Sequence, residues 1–137
     1  MLQPEAVVDR VLNEHPDGFT IDLNSGAPAP FDVNTYFVSL DGYERAYDGI
    51  PTPREAASWI RANRKVLRRP GHYLGGWRNE EDGRFYLDVT LGVQGLSEAI
   101  ALAQRQSQRC IYHPVSGKTI WLVQAAAASA PGELCGG

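Results

Sequence analysis

Few residues in this chain have the chemistry to bind a metal or act as a nucleophile, and their spacing is incomplete for either role. Cys110 and His113 form a Cys-x-x-His pair. A structural zinc site needs four ligands, and no second pair with similar spacing exists; His15, His72 and Cys135 stand apart in the sequence. We therefore predict no metal site and interpret Cys110 as a small buried residue at the start of a strand.

Carboxylates that could serve in acid–base catalysis are also scattered. Asp22, Asp41 and Asp88 are each as readily explained as strand-end or turn residues. Asp88 lies between Leu87 and Val89, so strand alternation places it on the polar side of a strand, either exposed or hydrogen-bonded to a neighbour. No serine or cysteine lies in a nucleophile-elbow sequence. We name no catalytic residue and favour a non-enzymatic protein.

Glycines are frequent, but they do not form a phosphate-binding motif. Neither G-x-x-x-x-G-K-[ST] nor a G-x-G-x-x-G sequence opening a helix is present. We predict no nucleotide or other cofactor.

A basic segment is the main electrostatic feature, with six basic residues and one acid between Pro53 and Pro70. Four of them share one face at helical spacing: Arg61, Arg64, Lys65 and Arg68. Such a face can contact nucleic-acid phosphates or an acidic protein. The alternative is a solvated helix face whose cations complement the helix dipole.

Aromatic residues concentrate in the predicted strands, and four are candidates for a protein-binding surface: Tyr73, Trp77, Tyr86 and Trp121. If helices cover only one side of the sheet, some of these rings must lie on its other side. Tyrosine and tryptophan are enriched in protein interfaces. The alternative is that these rings fill the core.

Hydrophobic periodicity predicts the elements that position these residues. Helices are expected over 4–14, from the Thr52-Pro53 cap to about 67, and over about 96–108; strands are expected over 19–23, 35–40, 73–78, 84–90, 109–113 and 118–123. Asp41-Gly42 favours a tight turn, after which 43–47 forms a short returning arm. Gly75 and Gly76 indicate a bulge or a close backbone contact.

This order of elements predicts an α+β fold. We expect an antiparallel or mixed sheet built from hairpins, with two main helices on one face, a short N-terminal helix, and one shared apolar interior. Residues 1–123 are predicted to form a single domain, and 124–137 a flexible tail. The tail ends in Gly136-Gly137, a two-residue match to ubiquitin-like modifiers and sulfur carriers.

Composition is that of a globular protein, because 43% of the 137 residues are hydrophobic and 21% are charged. The N-terminus carries Glu5 and Asp9 where a signal peptide would have a basic start. No apolar run is long enough to cross a bilayer, and two cysteines do not make a disulfide framework. We expect a cytoplasmic protein with no membrane association; its oligomeric state is left open.

The segment 70–89, PGHYLGGWRNEEDGRFYLDV, resembles a recurring stretch in small uncharacterised proteins of actinobacteria and their phages. In that group a glycine-rich strand ending in Trp precedes a YLDV strand, a helix and a last hairpin. The similarity extends over about 18–121 and is carried by Gly18-Phe19-Thr20, Tyr73 to Trp77, Tyr86 to Val89, and Gln108. At His113 such proteins more often have an acidic residue. The resemblance implies a phage or mobile-element setting and supplies no function or catalytic residue.

These observations favour a phage or mobile-element accessory protein that binds a host or virion protein through an aromatic sheet face. Modulation of a host defence or regulatory protein would fit that setting. The first alternative is nucleic-acid binding through the basic helix 54–69. The second is a carrier or modifier that uses the C-terminal Gly-Gly.

Overall fold

The computed structural model describes residues 4–122, which form four helices and seven strands. The helices are α1 (Pro4–Glu14), α2 (Pro53–Ala62), α3 (Arg64–Leu67) and α4 (Leu96–Arg105). The strands are β1 (Gly18–Ile21), β2 (Thr35–Ser39), β3 (Arg45–Tyr47), β4 (His72–Arg78), β5 (Phe85–Gln94), β6 (Cys110–His113) and β7 (Lys118–Trp121). No helix within this described part is long and apolar enough to cross a membrane.

The strands form one sheet in the order β1-β4-β5-β2-β6-β7, and every pairing is antiparallel. The α+β prediction is therefore confirmed, with the antiparallel form of the sheet. The two predicted hairpins, β4–β5 and β6–β7, are present and follow the expected alternation.

The short arm after Asp41-Gly42 is placed differently from the prediction. β3 pairs with the first part of β5, whereas β2 pairs with its last part. The two strands therefore lie end to end along the same edge of β5, and the predicted hairpin between them is wrong. Gly42 does adopt a turn conformation, with a φ of 90°. The Asp41-Gly42 dipeptide predicts a turn, but it does not predict which strand pairs with the residues that follow it.

All four helices pack on one side of the sheet. Phe85, Leu87 and Val89 alternate toward α1, α2 and α3, where the larger buried cluster lies. A smaller cluster lies beneath α4 and includes Val38, while Val93 packs against it. Val93 follows the same alternation as Val89, so both clusters lie on the same side. The prediction of one shared apolar interior is therefore wrong in one respect. The buried side chains form two separate clusters on the same side of the sheet.

The second helix begins as predicted but ends early. Thr52 and Glu55 form a complete capping box, with reciprocal side-chain to backbone bonds of 3.1 and 3.0 Å. Instead of continuing to Leu67, α2 stops at Asn63, whose side-chain amide donates to the Trp59 carbonyl at 2.8 Å. Asparagine competes with the helix for backbone bonds in this way. The basic segment is therefore divided between two helices.

The paired glycines of β4 mark a close contact and not a bulge. The β4–β5 register is unbroken through Gly75↔Asp88 and Gly76↔Leu87. A Cβ atom on Gly75 would lie 2.1 Å from the Asp88 Oδ1, and one on Gly76 would lie 2.3 Å from a ring carbon of Phe19. Each glycine therefore makes room for a side chain of a neighbouring strand.

Gly75→Ala should lower the free energy of unfolding by about 2 kcal/mol, because the added methyl group overlaps a fully buried carboxylate. The matched control is Gly49→Ala, since a Cβ atom there meets nothing within 4 Å, and its effect should stay within about 0.5 kcal/mol. Urea unfolding of the three proteins measures both changes. Equal stability of Gly75→Ala and the wild type would contradict this account of the glycine.

Candidate functional site: the aromatic face of the sheet

The four aromatic residues singled out in the sequence all lie on the side of the sheet away from the helices. Tyr73 stands opposite Thr90, and Trp77 opposite Tyr86. Trp121 stands opposite Cys110. We call this surface the aromatic face, defined by Phe37, Ser39, Tyr73, Gly75, Trp77, Tyr86, Asp88, Thr90, Cys110, Tyr112 and Trp121.

The four rings differ in how much they offer to a partner. Trp121 is 62% exposed, Tyr73 and Trp77 are half-buried, and Tyr86 is buried. Tyr86 stacks on Trp77 with ring centroids 4.8 Å apart, and its hydroxyl donates to Asp82 at 2.5 Å. Burial, reinforced by that bond, raises the pKa of Tyr86 to about 12. Tyr86 therefore packs against the Trp77 ring and presents little surface of its own.

Sequence reasoning missed a second aromatic group on this face, centred on Phe37. Its ring lies 6.3 Å from Tyr73, 6.5 Å from Tyr112 and 6.4 Å from Phe31. Phe37 is buried, whereas Phe31 is 51% exposed. The alternation of 35–40 places Phe37 on this side, but Phe31 belongs to a connecting segment without a periodic signal.

The centre of the aromatic face is polar. Asp88 has no exposed surface; the Ser39 hydroxyl donates to its Oδ2 at 3.0 Å, and the Thr90 hydroxyl donates to its Oδ1 at 2.7 Å. Burial raises the pKa of Asp88 above its ordinary value, while Thr90, Ser39 and the nearby Trp77 indole oppose that rise. The indole N–H of Trp77 makes no bond of normal geometry, so we assign its effect to proximity. Of the two alternatives for Asp88, the structure shows the hydrogen-bonded one.

A second carboxylate stands beside Asp88. Arg45 pairs with Leu87, so Glu44 precedes it at the level of Asp88. Partial burial raises the pKa of Glu44 to about 7, and the negative charges of Asp88 and Asp41 add to the rise. The Glu44 side chain is nevertheless exposed. Solvent therefore screens its repulsion from the neighbouring carboxylates and reduces the effect of this pKa shift on stability. Nothing in the sequence indicated Glu44, because its position depends on the unforeseen β3–β5 pairing.

A groove of about 780 Å³ opens where the aromatic face meets β1. Segment 27–29 lies along the outer edge of β1, with the Ala29 amide donating to the Thr20 carbonyl at 2.9 Å. Phe31, Phe37, Trp77 and Tyr112 line the groove on this side. The aromatic face is thus continuous with a groove that the charged residues Arg10, Glu14 and Asp17 also line.

The Cys-x-x-His pair does not form a site. Cys110 belongs to the aromatic face, whereas His113 stacks on Tyr36 at 4.8 Å on the helix side. The ring nitrogens of His113 contact the Ser116 hydroxyl and the Val33 carbonyl, at 2.7 and 2.8 Å. Cys110 is buried, as expected, but it is disulfide-bonded and not a free thiol. Within residues 4–122, no group of three or more acidic, histidine or cysteine side chains is placed to hold a metal ion.

The basic residues lie in the helix layer, on the opposite side of the sheet from the aromatic face. Arg61 ends α2, Arg64 and Lys65 belong to α3, and Arg68 caps α3. Arg61 and Lys65 are exposed, whereas Arg64 and Arg68 are half-buried.

Raised carboxyl pKa values on the aromatic face should make stability depend on pH. The pKa of Glu44 rises from 4.5 to about 7 on folding, so the folded state binds more protons than the unfolded state across that window. The free energy of unfolding should therefore fall as pH rises from about 4.5 to about 7. Because solvent screens Glu44, we expect a fall of at most about 1 kcal/mol from this residue.

Urea unfolding of wild type and Glu44→Gln from pH 4 to pH 8 measures this contribution as the difference between their curves. Glu80→Gln, in the β4–β5 turn, is the matched control and should run parallel to wild type. A Glu44→Gln curve that is also parallel to wild type would show that the shift is absent.

Comparisons of the chain with protein-family models, with curated proteins and with solved structures found no match. The predicted tail 124–137 and its Gly-Gly end lie outside the described residues.

Proposed function

We propose that this protein is a non-enzymatic binding module that engages another protein through the aromatic face. The observation that carries the proposal is the 62% exposed Trp121 ring on the same side of the sheet as Tyr73 and Trp77. The resemblance to small actinobacterial and phage proteins supports a host or virion protein as the partner, and an accessory role for this chain.

The aromatic face has the composition of an interface centre. Its large rings stand on strands, which fix their positions before binding and reduce the entropy lost on association. From β4 to β7 the face crosses four inter-strand spacings, or about 19 Å. Tryptophan and tyrosine dominate the binding energy of protein interfaces when they are surrounded by groups that exclude water.

Acidic residues at the margin of the aromatic face favour a partner with positive charge there. Glu44 and Asp41 are exposed beside the buried Asp88. A partner surface with lysine or arginine at this edge would relieve their mutual repulsion and orient the complex. We therefore propose a partner with an apolar patch bordered by basic residues.

Nucleic-acid binding through the basic residues is the second candidate, supported by the exposure of Arg61 and Lys65. The break at Asn63 and the half-buried Arg64 and Arg68 reduce the number of cations available to phosphates. In a plot of log K against log salt concentration, each phosphate contact that is lost reduces the slope by nearly one unit.

Trp121→Ala should weaken partner binding about 30-fold, the loss expected for an interface hot spot of about 2 kcal/mol. A partner captured from host lysate would be purified and titrated against wild type, Trp121→Ala and Ile50→Ala. Ile50 is 51% exposed and lies off the aromatic face, so its truncation should leave the affinity within about twofold. Equal weakening by both variants, or by neither, would contradict the proposal.

The charge-reversed Arg61→Glu/Lys65→Glu protein separates the two candidate functions. Under our proposal it keeps wild-type affinity for the protein partner, because these residues lie in the helix layer. Binding of single- and double-stranded nucleic acid should be measured in parallel over a salt series. A strongly salt-dependent complex that this double variant abolishes would favour the second candidate.

A further inference from the structure

We propose that a cleft between β3 and α2 binds a phosphate group through the side chains of Arg45, Tyr47, Arg54 and Ser58. This β3–α2 cleft has a volume of about 310 Å³, which is at the lower end of the range for small-molecule sites. It opens in the helix layer, on the opposite side of the sheet from the aromatic face. The site therefore does not depend on the proposed function.

The lining of the β3–α2 cleft comes from one side of a strand and one side of a helix. Arg45 and Tyr47 are two residues apart on β3 and stand opposite Leu87 and Phe85, so both point toward the helices. The residues from α2 are three or four positions apart, the spacing that shares one helix face: Arg54, Glu55, Ser58, Trp59 and Ala62. The cleft therefore lies where these two sides face each other.

The Tyr47 hydroxyl is the observation that points to a ligand. The side chain is 8% exposed and belongs to the buried cluster beneath α1 and α2. Its hydroxyl oxygen is buried without a hydrogen-bond partner among residues 4–122, an arrangement that costs stability because the bonds to water are not replaced. Burial raises the pKa of this hydroxyl, with Arg45 opposing the rise and Glu55 adding to it. The hydroxyl is therefore a hydrogen-bond donor at neutral pH, within electrostatic range of two side chains that line the cleft.

Two arginines supply positive charge to the β3–α2 cleft. The Arg45 guanidinium lies 5.6 Å from the centre of the Tyr47 ring, and this cation–π contact holds it beside the ring. Arg54 is exposed on α2, one helical turn before the exposed Ser58. In the described part of the chain, neither arginine forms an ion pair with a carboxylate. Both guanidinium groups are therefore available to a ligand.

Glu55 lines the same cleft and lowers its net charge. One oxygen of its carboxylate accepts the Thr52 amide of the capping box at 3.0 Å, so the side chain is committed to the end of α2. Two positive charges and one negative charge therefore surround the cleft. A phosphate monoester carries a charge of roughly −2 near pH 7 and three acceptor oxygens, which suit two guanidinium groups and two hydroxyl donors. A carboxylate has a smaller charge and fewer acceptors, so we expect it to bind more weakly.

Inorganic phosphate is the probe for this site. It is titrated into isotopically labelled full-length protein at constant ionic strength, and the backbone amide shifts of Arg45, Tyr47 and Ser58 are followed by NMR. The shifts should saturate with one dissociation constant. Arg54→Gln should raise that constant at least about tenfold, because it removes a charge-assisted bond. Lys65→Gln is the matched control, since it removes an exposed positive charge outside the cleft, and its constant should stay within about twofold of wild type.

Glu55→Gln should change phosphate binding in the opposite direction. Glutamine keeps the capping bond and removes the negative charge from the cleft, so the dissociation constant should fall about threefold. A constant that stays the same or rises would contradict the placement of the ligand beside Glu55.

The role of the Tyr47 hydroxyl is tested by urea unfolding with and without phosphate. In phosphate-free buffer, Tyr47→Phe should be at least as stable as wild type, because it removes a buried polar atom that has no partner among the described residues. At saturating phosphate the wild type should gain more stability than Tyr47→Phe, since a ligand that binds the folded state stabilises it. A Tyr47→Phe protein that is less stable than wild type without phosphate would show that the hydroxyl already has a partner, and the proposal would be overturned.

Parallel titrations identify the source of the phosphate group. Tighter binding of glycerol phosphate than of inorganic phosphate would identify an ester as the ligand, and the reverse order would identify the free ion; either result supports a phosphate site. Acetate that binds as tightly as phosphate, or equal weakening by Arg54→Gln and Lys65→Gln, would refute it. Trp121→Ala should leave phosphate binding unchanged, so failure of this site and failure of the proposed function are separate results.

Discussion

Every strand in the sheet is positioned by backbone pairing with β5, directly or through its neighbours. β5 is ten residues long and pairs with β4 along one edge and with β2 and β3 along the other. Its alternation also separates the two surfaces of the molecule. Phe85, Leu87 and Val89 face the helices, whereas Tyr86, Asp88 and Thr90 face away. The apolar core and the aromatic face are thus two consequences of one strand.

Local signals in the sequence identify most elements because their causes are local. The capping box at Thr52 requires residues three apart, and the alternation of 85–90 requires only its own side chains. The wrong predictions concern features that depend on contacts outside the local sequence pattern. β3 joins β5 and not β2, although Asp41-Gly42 looks like a hairpin turn. The break at Asn63 depends on a side-chain bond to Trp59 that periodicity does not register.

The candidate site likewise has features that the sequence predicts and features that depend on the fold. Alternation places Tyr86 on the other side of its strand from Phe85, but the β4–β5 register is needed to show that Trp77 shares that side. The difference in exposure between the two rings depends on stacking and on the bond from Tyr86 to Asp82. Phe31 and Glu44 reach the site by way of a connecting segment and a non-local pairing, so no sequence pattern could place them. The basic residues, contiguous in sequence with a well-predicted helix, prove to lie on the opposite side of the sheet.

Asp88 gives the central hairpin a register that hydrophobic patterning alone does not specify. A register slip of one residue would turn the apolar side chains of one strand away from the helices. Loss of their burial in the core makes that slip unfavourable. A slip of two residues preserves the faces but would bring Tyr73 or Trp77 opposite Asp88 in place of Gly75. Either ring would occupy the space that the carboxylate takes above Gly75, where even a methyl group is excluded. A buried carboxylate is a poor source of net stability. Here, however, its bond to Ser39 of β2 and the missing side chain at Gly75 of β4 favour one alignment of β4, β5 and β2, the alignment that assembles the aromatic face.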